Sequence, residues 1–285
     1  MQKSKPILTN VLANRNKHVR DNNIQFFEEG HKYLIKTDPV AKYTSVTTWN
    51  HSHFPHFDAD AVISNMMNGR NWKEGHKYWG MTPEEIKTQW NTNGSSVSSA
   101  GTDMHFEIEC FMNDINIQYE YTHEDLYKIN MCDYKKKKLE WNYFIEFIKD
   151  NPTLKPYRTE WTIYHEDLKL AGSIDMVYEN PDGTLSIYDW KRVKDITPVN
   201  TFNKYAITEC ISHMPDSNFW HYALQLNTYK AILEQKYDKK ITDLYLVKLH
   251  PDNEEETYEL IKLPDLSKDI VNLFQQRIDE IRNLY

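Results

Sequence analysis

Apolar and polar residues alternate along three consecutive stretches near the middle of the chain. The stretches are residues 157–164, 169–179 and 185–191. Alternation with a period of two is typical of strands that bury one face. We therefore predict three strands here, with the second and third joined as a hairpin.

The other periodic segments predict a mixed α and β chain. A small N-terminal sheet is expected at residues 24–28, 32–35 and 43–49, and a strand pair at 243–250 and 257–263. Apolar positions three or four residues apart predict helices at 58–68, 83–91, from 102 onward, 124–149, 219–237 and close to the C-terminal end. The Ser-rich stretch 94–100 is predicted to be a loop.

Composition favours a folded chain that has no membrane span. The 285 residues are 40% hydrophobic, and no apolar run approaches the roughly 20 residues that cross a bilayer. The formal charge of -8 argues against a uniformly basic surface that coats nucleic acid, although it permits a local basic channel. Three widely spaced cysteines indicate neither a disulfide framework nor a zinc site, so we expect an intracellular protein that is not secreted.

Basic residues are concentrated at the N-terminus and in one later run. Residues 1–23 contain five Lys or Arg residues and a first acid only at Asp21. We interpret them as a basic flexible arm, with a transit peptide as the alternative. The run from Lys135 to Lys138 is interpreted as a solvated helix face, with a DNA-binding track as the alternative.

Residues 180–184, with the sequence NPDGT, predict a three-residue hairpin loop in which Gly183 supplies a positive φ. Counting back from a closing pair of Asn180 and Thr184 places Asp175 opposite Asp189. Opposed carboxylates repel each other, and a bound cation would remove that conflict. Lys191 shares the face of Asp189, because residues two apart in a strand project to the same side.

This face suits a hard divalent cation. Two carboxylates and a backbone carbonyl, for which Trp190 is the candidate, would leave room for several waters on magnesium. Such an ion polarises a phosphoryl oxygen and generates hydroxide near neutral pH. Lys191 is then expected to steady the attacking water and the developing charge. The structural alternative is a surface ion pair between Asp189 and Lys191.

Four short motifs resemble those of the PD-(D/E)XK nuclease superfamily, in its RecB-like exonuclease branch, and they occur in family order. Residues 172–175 (GSID) and 189–191 (DWK) resemble the G-x-x-D and D-x-K signature. Residues 101–105 (GTDMH) are similar to the G-T-x-x-H helix start, and residues 225–229 (QLNTY) to the Q-x-x-x-Y motif. Ile174 replaces the motif's proline, a common departure. The N-terminal sheet is similar to that of phage and mitochondrial genome-maintenance exonucleases.

The resemblance implies an α/β (α+β) fold with a restriction-endonuclease-like core. A central mixed sheet would be flanked by helices and preceded by a small N-terminal β-rich extension. The expected divisions are the arm at 1–23, an N-terminal β-hairpin and helical extension at 24–98, and the nuclease core at 99–285.

The resemblance also assigns roles to individual residues. It implies a metal held by His105, Asp175 and Asp189, with Lys191 as the catalytic lysine. Gln225 and Tyr229 would lie near DNA or support the site. Mg²⁺ or Mn²⁺ is the expected cofactor, since an imidazole ligand makes manganese at least as suitable. A 4Fe-4S cluster is not expected, because it needs four cysteine ligands.

Four further residues are expected near this site. Glu109 lies one turn after His105, either beside the ion or exposed to solvent. Glu160 is expected near Ser173, where it would bind a second metal or order water. Arg192 and Lys194, which follow the third strand, are predicted to contact nucleic acid.

The sequence therefore predicts a metal-dependent DNA exonuclease that hydrolyses phosphodiester bonds from the ends of single-stranded DNA. It would act in DNA replication, recombination or repair, with a helicase or recombination partner and no membrane association. The alternatives are a structure-selective endonuclease or a ribonuclease with the same site, and an inactive nucleic-acid-binding scaffold. Candidates for base stacking, with core packing as the alternative, are Trp72, Trp79, Trp90 and Trp220.

Overall fold

A six-stranded mixed sheet forms the centre of the computed structural model, which describes residues 10–113 and 138–283. The predicted fold class is confirmed: helices flank the mixed sheet, and a small β-hairpin precedes it. This α/β (α+β) arrangement is the one expected of a restriction-endonuclease-like core.

The described residues contain eight strands. They are β1 (Ile24–Phe27), β2 (Lys32–Ile35), β3 (Thr44–Ser45), β4 (Lys155–His165), β5 (Leu170–Glu179), β6 (Leu185–Lys191), β7 (Ile241–Lys248) and β8 (Glu259–Lys262). β1 and β2 form the separate antiparallel hairpin. The sheet has the order β3-β5-β6-β7-β8, and β4 pairs with β5.

Seven α-helices lie in the described residues. They are α1 (Val11–Arg15), α2 (Val46–His51), α3 (Ala59–Met67), α4 (Pro83–Met112), α5 (Leu139–Asp150), α6 (Asn218–Lys236) and α7 (Ser267–Arg282). The predicted helix at 124–149 is present from Leu139 onward, and its earlier part, with most of the basic run before Lys138, lies outside the described residues. None of the described helices is both long and apolar enough to span a membrane.

The sheet is buried on both faces by two apolar layers. In β6, Leu185 and Ile187 join the layer formed with α2, α6 and α7. Tyr188 and Trp190 join the opposite layer, formed with α4 and α5. Alternation along the strand thus places residues of odd number toward α6, and this parity includes Asp189 and Lys191.

The predicted hairpin loop and its register are confirmed. The N–H of Asn180 donates to the carbonyl oxygen of Thr184 at 2.8 Å, and Gly183 has a φ of +80°. β5 and β6 pair antiparallel from Glu179 opposite Leu185 to Met176 opposite Tyr188.

One edge of β5 changes its partner along its length. Near its end β5 pairs with β6, whereas its beginning pairs in parallel with β3 at Leu170 and Ala171. No described strand pairs with this edge between residues 172 and 175, since the pairing with β6 ends at Met176. The divergence opens the sheet beside Asp175 and provides room for a site.

The predicted loop at residues 94–100 is wrong, because α4 continues through it. The helix begins with a capping box in which Thr82 and Glu85 satisfy each other's backbone N–H groups. Its last turns bury Met104 and Ile108 in the core. These two anchored ends extend the helix through a segment whose own propensity is low.

The predicted strand at residues 43–49 is correct only at its start. Thr44 and Ser45 form β3, which belongs to the central sheet and not to the N-terminal hairpin. The Ser45 hydroxyl then accepts a hydrogen bond from the N–H of Thr48 at 3.0 Å and caps α2. The cap outweighs the β-branched residues that follow.

Residues 10–23 lie against β4, in contrast to the flexible arm predicted from charge. Leu12 is fully buried, and Arg158 donates to the Asp21 carboxylate at 2.7 Å. Arg20 pairs with Glu166 at 2.6 Å. Residues 10–23 therefore pack and form ion pairs with defined partners on the fold. The charge composition of the segment does not reveal these contacts.

The Arg20–Glu166 ion pair gives a pH-dependent test of this docking. Burial opposes ionisation of Glu166, but the Arg20 guanidinium outweighs it and lowers the pKa of Glu166 to about 2. A lowered pKa stabilises the native state above the unfolded value, and this contribution is lost as the pH falls through the folded value. We expect Glu166→Gln to lower the free energy of unfolding at neutral pH by about 1 kcal/mol after solvent screening.

Urea unfolding of the native and substituted chains at several pH values measures this difference. It should be constant near neutrality and shrink as the pH falls below about 4.5. Glu29→Gln, at an exposed residue of the N-terminal hairpin, is the control. A difference that does not change with pH would contradict the assignment.

Candidate active site

His105 links α4 to the end of β6. Its Nε2 atom lies 2.9 Å from the carbonyl oxygen of Trp190. Because a carbonyl only accepts hydrogen bonds, Nε2 carries a proton, and in the neutral imidazole the lone pair is then on Nδ1. Nδ1 lies 3.4 Å from Oδ2 of Asp175 and 4.0 Å from Oε1 of Glu160. The lone pair therefore faces two carboxylates.

These three residues, His105, Glu160 and Asp175, form what we call the donor cluster. One ligand atom from each lies within 4.8 Å of the others. A lone pair and two carboxylates that converge in this way repel one another unless a cation or a proton lies among them. The cluster thus fits a divalent metal ion, which would complete its coordination with water.

Glu160 reaches the cluster through an irregularity in β4. Its φ of 45° lies in the left-handed region, and the β4–β5 ladder skips this residue between Thr159 and Trp161. Its Oε2 accepts a hydrogen bond from the Ser173 hydroxyl at 3.0 Å, in agreement with the predicted proximity. Burial, and then the charge of Asp175, raises the pKa of Glu160 well above its ordinary value.

Asp175 and Asp189 have different surroundings, although each is next to the last residue of its strand that pairs in the hairpin. Oδ2 of Asp175 accepts the backbone N–H of Trp190 at 3.0 Å, in place of a strand-to-strand bond. Asp189 is buried and forms an ion pair with Lys191. The cluster differs from the predicted ligand set, because it contains Glu160 instead of Asp189 and because the Trp190 carbonyl is bonded to His105.

Lys191 is held between a carboxylate and an aromatic ring. Its ammonium pairs with Asp189 and lies 4.6 Å from the centre of the Tyr222 ring. Burial disfavours the charged amine, but Asp189 and Asp175 outweigh it and raise the pKa of Lys191 above its ordinary value. Burial, and then Asp175, raises the pKa of Asp189 to about 6. The ion pair with Asp189 thus favours the charged form of the Lys191 ammonium.

Gln225 and Tyr229 lie side by side on α6 next to this site. The Gln225 amide donates to the Tyr229 hydroxyl at 3.3 Å and lies 3.5 Å from the Thr47 hydroxyl. The Tyr229 ring is buried against Gly172, where an added Cβ would lie 2.7 Å from Cε1. Tyr229 of the Q-x-x-x-Y motif thus requires a glycine at position 172, in the G-x-x-D motif.

The two predicted nucleic-acid-binding residues differ in their surroundings. Arg192 donates through Nε to the buried Glu140 carboxylate at 2.5 Å, so its charge is largely neutralised within the fold. Lys194 is exposed. Glu109 lies near enough for its charge to raise the pKa of Glu160, which places it beside the donor cluster.

Two tyrosines near the site carry no role that the sequence predicts. Tyr222 is the ring beneath Lys191, and its position three residues before Gln225 on α6 was the only signal for it. Tyr33 comes from the N-terminal hairpin. Burial, and then the charge of Glu160, raises the pKa of Tyr33 to about 12. The hairpin therefore contributes to the surroundings of the donor cluster.

Comparison with known proteins yields distant likenesses among solved structures alone. No protein-family model and no curated protein matches the chain. A crystal structure of a candidate exonuclease from Eubacterium rectale is similar over 85% of this chain and 81% of its own, with 14% sequence identity and a TM-score of 0.37. A likeness this distant carries no argument about the reaction.

The contact between Gly172 and Tyr229 predicts the effect of adding one methyl group. We expect Gly172→Ala to lower the free energy of unfolding by about 1 to 3 kcal/mol, because the buried ring must move. Urea unfolding measures the loss. Gly101→Ala on α4 is the matched control, since nothing lies within 4 Å of its added Cβ.

The control substitution should be neutral or stabilising, since alanine favours helix. Gly172→Ala combined with Tyr229→Ala should cost less than the sum of the two single changes, because the clash is absent. Additive costs would show that the two residues do not interact.

Proposed function

We propose that this chain is a metal-dependent nuclease that hydrolyses phosphodiester bonds. The observation that carries the proposal is the donor cluster of His105, Glu160 and Asp175 beside the buried ion pair of Asp189 and Lys191. Converging metal donors next to a fixed ammonium are suited to phosphoryl chemistry, in which negative charge develops on oxygen.

The donor set favours Mg²⁺ or Mn²⁺. Carboxylate oxygens suit both ions, and an imidazole nitrogen makes manganese at least as good a fit. A bound ion of this kind supplies Lewis-acid polarisation of the phosphoryl oxygen and a bound water of lowered pKa. The hydrogen bond from His105 to Trp190 would fix the imidazole with Nδ1 toward the ion.

The chain's own residues complete the site. Lys191 remains protonated, so it would donate to a phosphate oxygen and stabilise the charge that develops there. Asp189 holds the ammonium in place, and the Tyr222 ring limits its movement. Gln225 offers its amide between Tyr229 and Thr47, where it would position the substrate or an ordered water.

We further propose that the substrate is DNA with a free single-stranded end, as in replication, recombination or repair. The ordered motifs that resemble RecB-like exonucleases support this choice, as does the mixed sheet with flanking helices on which they lie. A helicase or recombination partner would supply such ends. The same site would also serve a structure-selective endonuclease or a ribonuclease, and digestion of defined substrates separates these activities.

Removal of the Lys191 ammonium tests the proposed reaction. We expect Lys191→Ala to reduce cleavage of end-labelled linear DNA in Mg²⁺ or Mn²⁺ by at least about 100-fold, the cost of losing one preorganised charge donor. Circular DNA should resist the native chain. Lys268→Ala, at an exposed lysine of α7, is the control and should leave cleavage unchanged.

The digestion products separate the alternatives. Loss of linear single strands alone supports the exonuclease, and the position of the label reports its polarity. Cleaved circles indicate an endonuclease, and cleavage restricted to RNA indicates a ribonuclease. Cleavage that persists unchanged in Lys191→Ala would contradict the assignment of this site as the active site.

The repulsion within the donor cluster predicts a separate effect on stability. In EDTA, we expect Glu160→Gln to raise the thermal midpoint by about 2 to 4 °C, which is ~1 kcal/mol, because one converging charge is removed. Mn²⁺ should stabilise the native chain, since an ion that binds only the folded state raises its stability. The substituted chain should lose most of this gain.

Thermal unfolding with and without Mn²⁺, together with calorimetric titration of Mn²⁺, measures both effects. Glu280→Gln on the exposed face of α7 is the matched control, and it should respond to Mn²⁺ like the native chain. Equal stabilisation of Glu160→Gln and the native chain would remove Glu160 from the ligand set.

A further inference from the structure

Aromatic rings cluster on the surface between α3 and the first turns of α4. We call this cluster the aromatic patch, and its members are Phe57, Trp72, His76, Tyr78, Trp79 and Trp90. The ring centres of Trp72 and Trp79 lie 5.8 Å apart, and those of Tyr78 and Trp90 lie 6.0 Å apart. Phe57 is 64% exposed and Trp79 is 48% exposed. Large ring faces are therefore open to solvent.

The patch is held in place by contacts of its own. The Trp90 indole N–H donates to the Tyr78 hydroxyl at 2.9 Å, which ties the α3–α4 connection to α4. Gly75 and Gly80, with φ of +93° and +85°, provide the turns on either side of this tyrosine. Rings that are fixed before binding lose little conformational freedom when a ligand arrives.

Basic residues are interspersed with the ring residues in the α3–α4 connection. Arg70, Lys73 and Lys77 are all exposed, and Glu74 is the one acid between them. The Lys77 ammonium lies 5.0 Å from the centre of the Tyr78 ring. The connection is thus locally positive in a chain of net charge -8, and this charge complements phosphates.

Helix α4 joins the aromatic patch to the donor cluster. Trp90 and His105 are 15 residues apart, so an α-helix places them about 22 Å apart along its axis and within about 60° of the same side. Of residues 91–104, which lie between them, Asp103 is the one charged residue, and it lies about 200° around the helix from His105 and therefore on the other side. Residues 91–99 are exposed. A polyanion could follow this face from the patch to the site without meeting an acid.

We propose that the aromatic patch binds single-stranded nucleic acid by stacking on its bases, while the surrounding basic residues contact its phosphates. The inference rests on the proposed function and adds a second contact surface to it. Unpaired bases are favoured because duplex stacking hides base faces from such rings. The basic border and the shared helix favour nucleic acid over a protein partner.

The binding test uses fluorescein-labelled oligo(dT) in EDTA, where the proposed cleavage cannot interfere. Fluorescence anisotropy is expected to show that Trp79→Leu binds about tenfold more weakly, a typical loss for one stacking ring. Trp79→Phe retains a ring and should restore most of the affinity. A duplex of equal length should bind more weakly to the native chain and respond little to either substitution.

The charge contribution is tested separately through salt. Arg70→Gln combined with Lys73→Gln should reduce the slope of log affinity against log salt by about 1.4, because each single-strand phosphate contact contributes about 0.7. Val271→Ala, which trims an exposed apolar residue of α7, is the control for a change in surface. Thermal unfolding should report an intact fold for every variant.

The two proposals can fail independently. Oligo(dT) affinity that is unchanged in Trp79→Leu, or equally weak in Trp79→Leu and Trp79→Phe, overturns the stacking role even if cleavage depends on Lys191. Ring-dependent binding without Lys191-dependent cleavage supports the patch and overturns the proposed nuclease. A native chain that does not bind oligo(dT) overturns the inference.

Discussion

The hydrogen bond between His105 and the carbonyl oxygen of Trp190 fixes the geometry on which the site depends. Trp190 also donates its backbone N–H to Asp175. The backbone of Trp190 therefore positions two members of the donor cluster, His105 and Asp175. Its indole is buried against Phe144 and Phe147, with ring centres 5.5 Å away in each case. Packing of this indole in the core thus helps to hold the backbone that positions His105 and Asp175.

Helix α4 extends this constraint over a long distance. Its segment 91–101 is rich in Gly, Ser, Asn and Thr, which cost about 0.5 to 1 kcal/mol each in a helix relative to Ala. The capping box at Thr82 and the buried turn around Ile108 anchor its two ends. The segment stays helical because its neighbours are fixed, and a stiff connection between the aromatic patch and His105 results.

The sequence was informative wherever a local rule decides the structure. The turn residues at 180–184 fixed the register of β5 and β6, and the parity of β6 placed Asp189 and Lys191 on one face. The sequence was uninformative where contacts with residues far along the chain decide the local structure. Neither the helical conformation of residues 94–100 nor the docking of Leu12 has a local signal, since both depend on contacts far along the chain. Glu160 could be placed near Ser173, but the choice between binding a metal and ordering water stayed open, because its left-handed φ has no local signal.

The site also contains features that a sequence shaped by stability alone would avoid. Glu160 is the one non-glycine residue with a positive φ inside a described strand, a conformation that costs about 1 to 2 kcal/mol. Its carboxylate converges with Asp175 while Asp189 and Lys191 form an ion pair that apolar residues could replace without loss of stability. These costs lie within one small region, where β5 and β6 diverge. Strain and like charge coincide here, and a divalent cation is the kind of ligand that would relieve the repulsion among these donors.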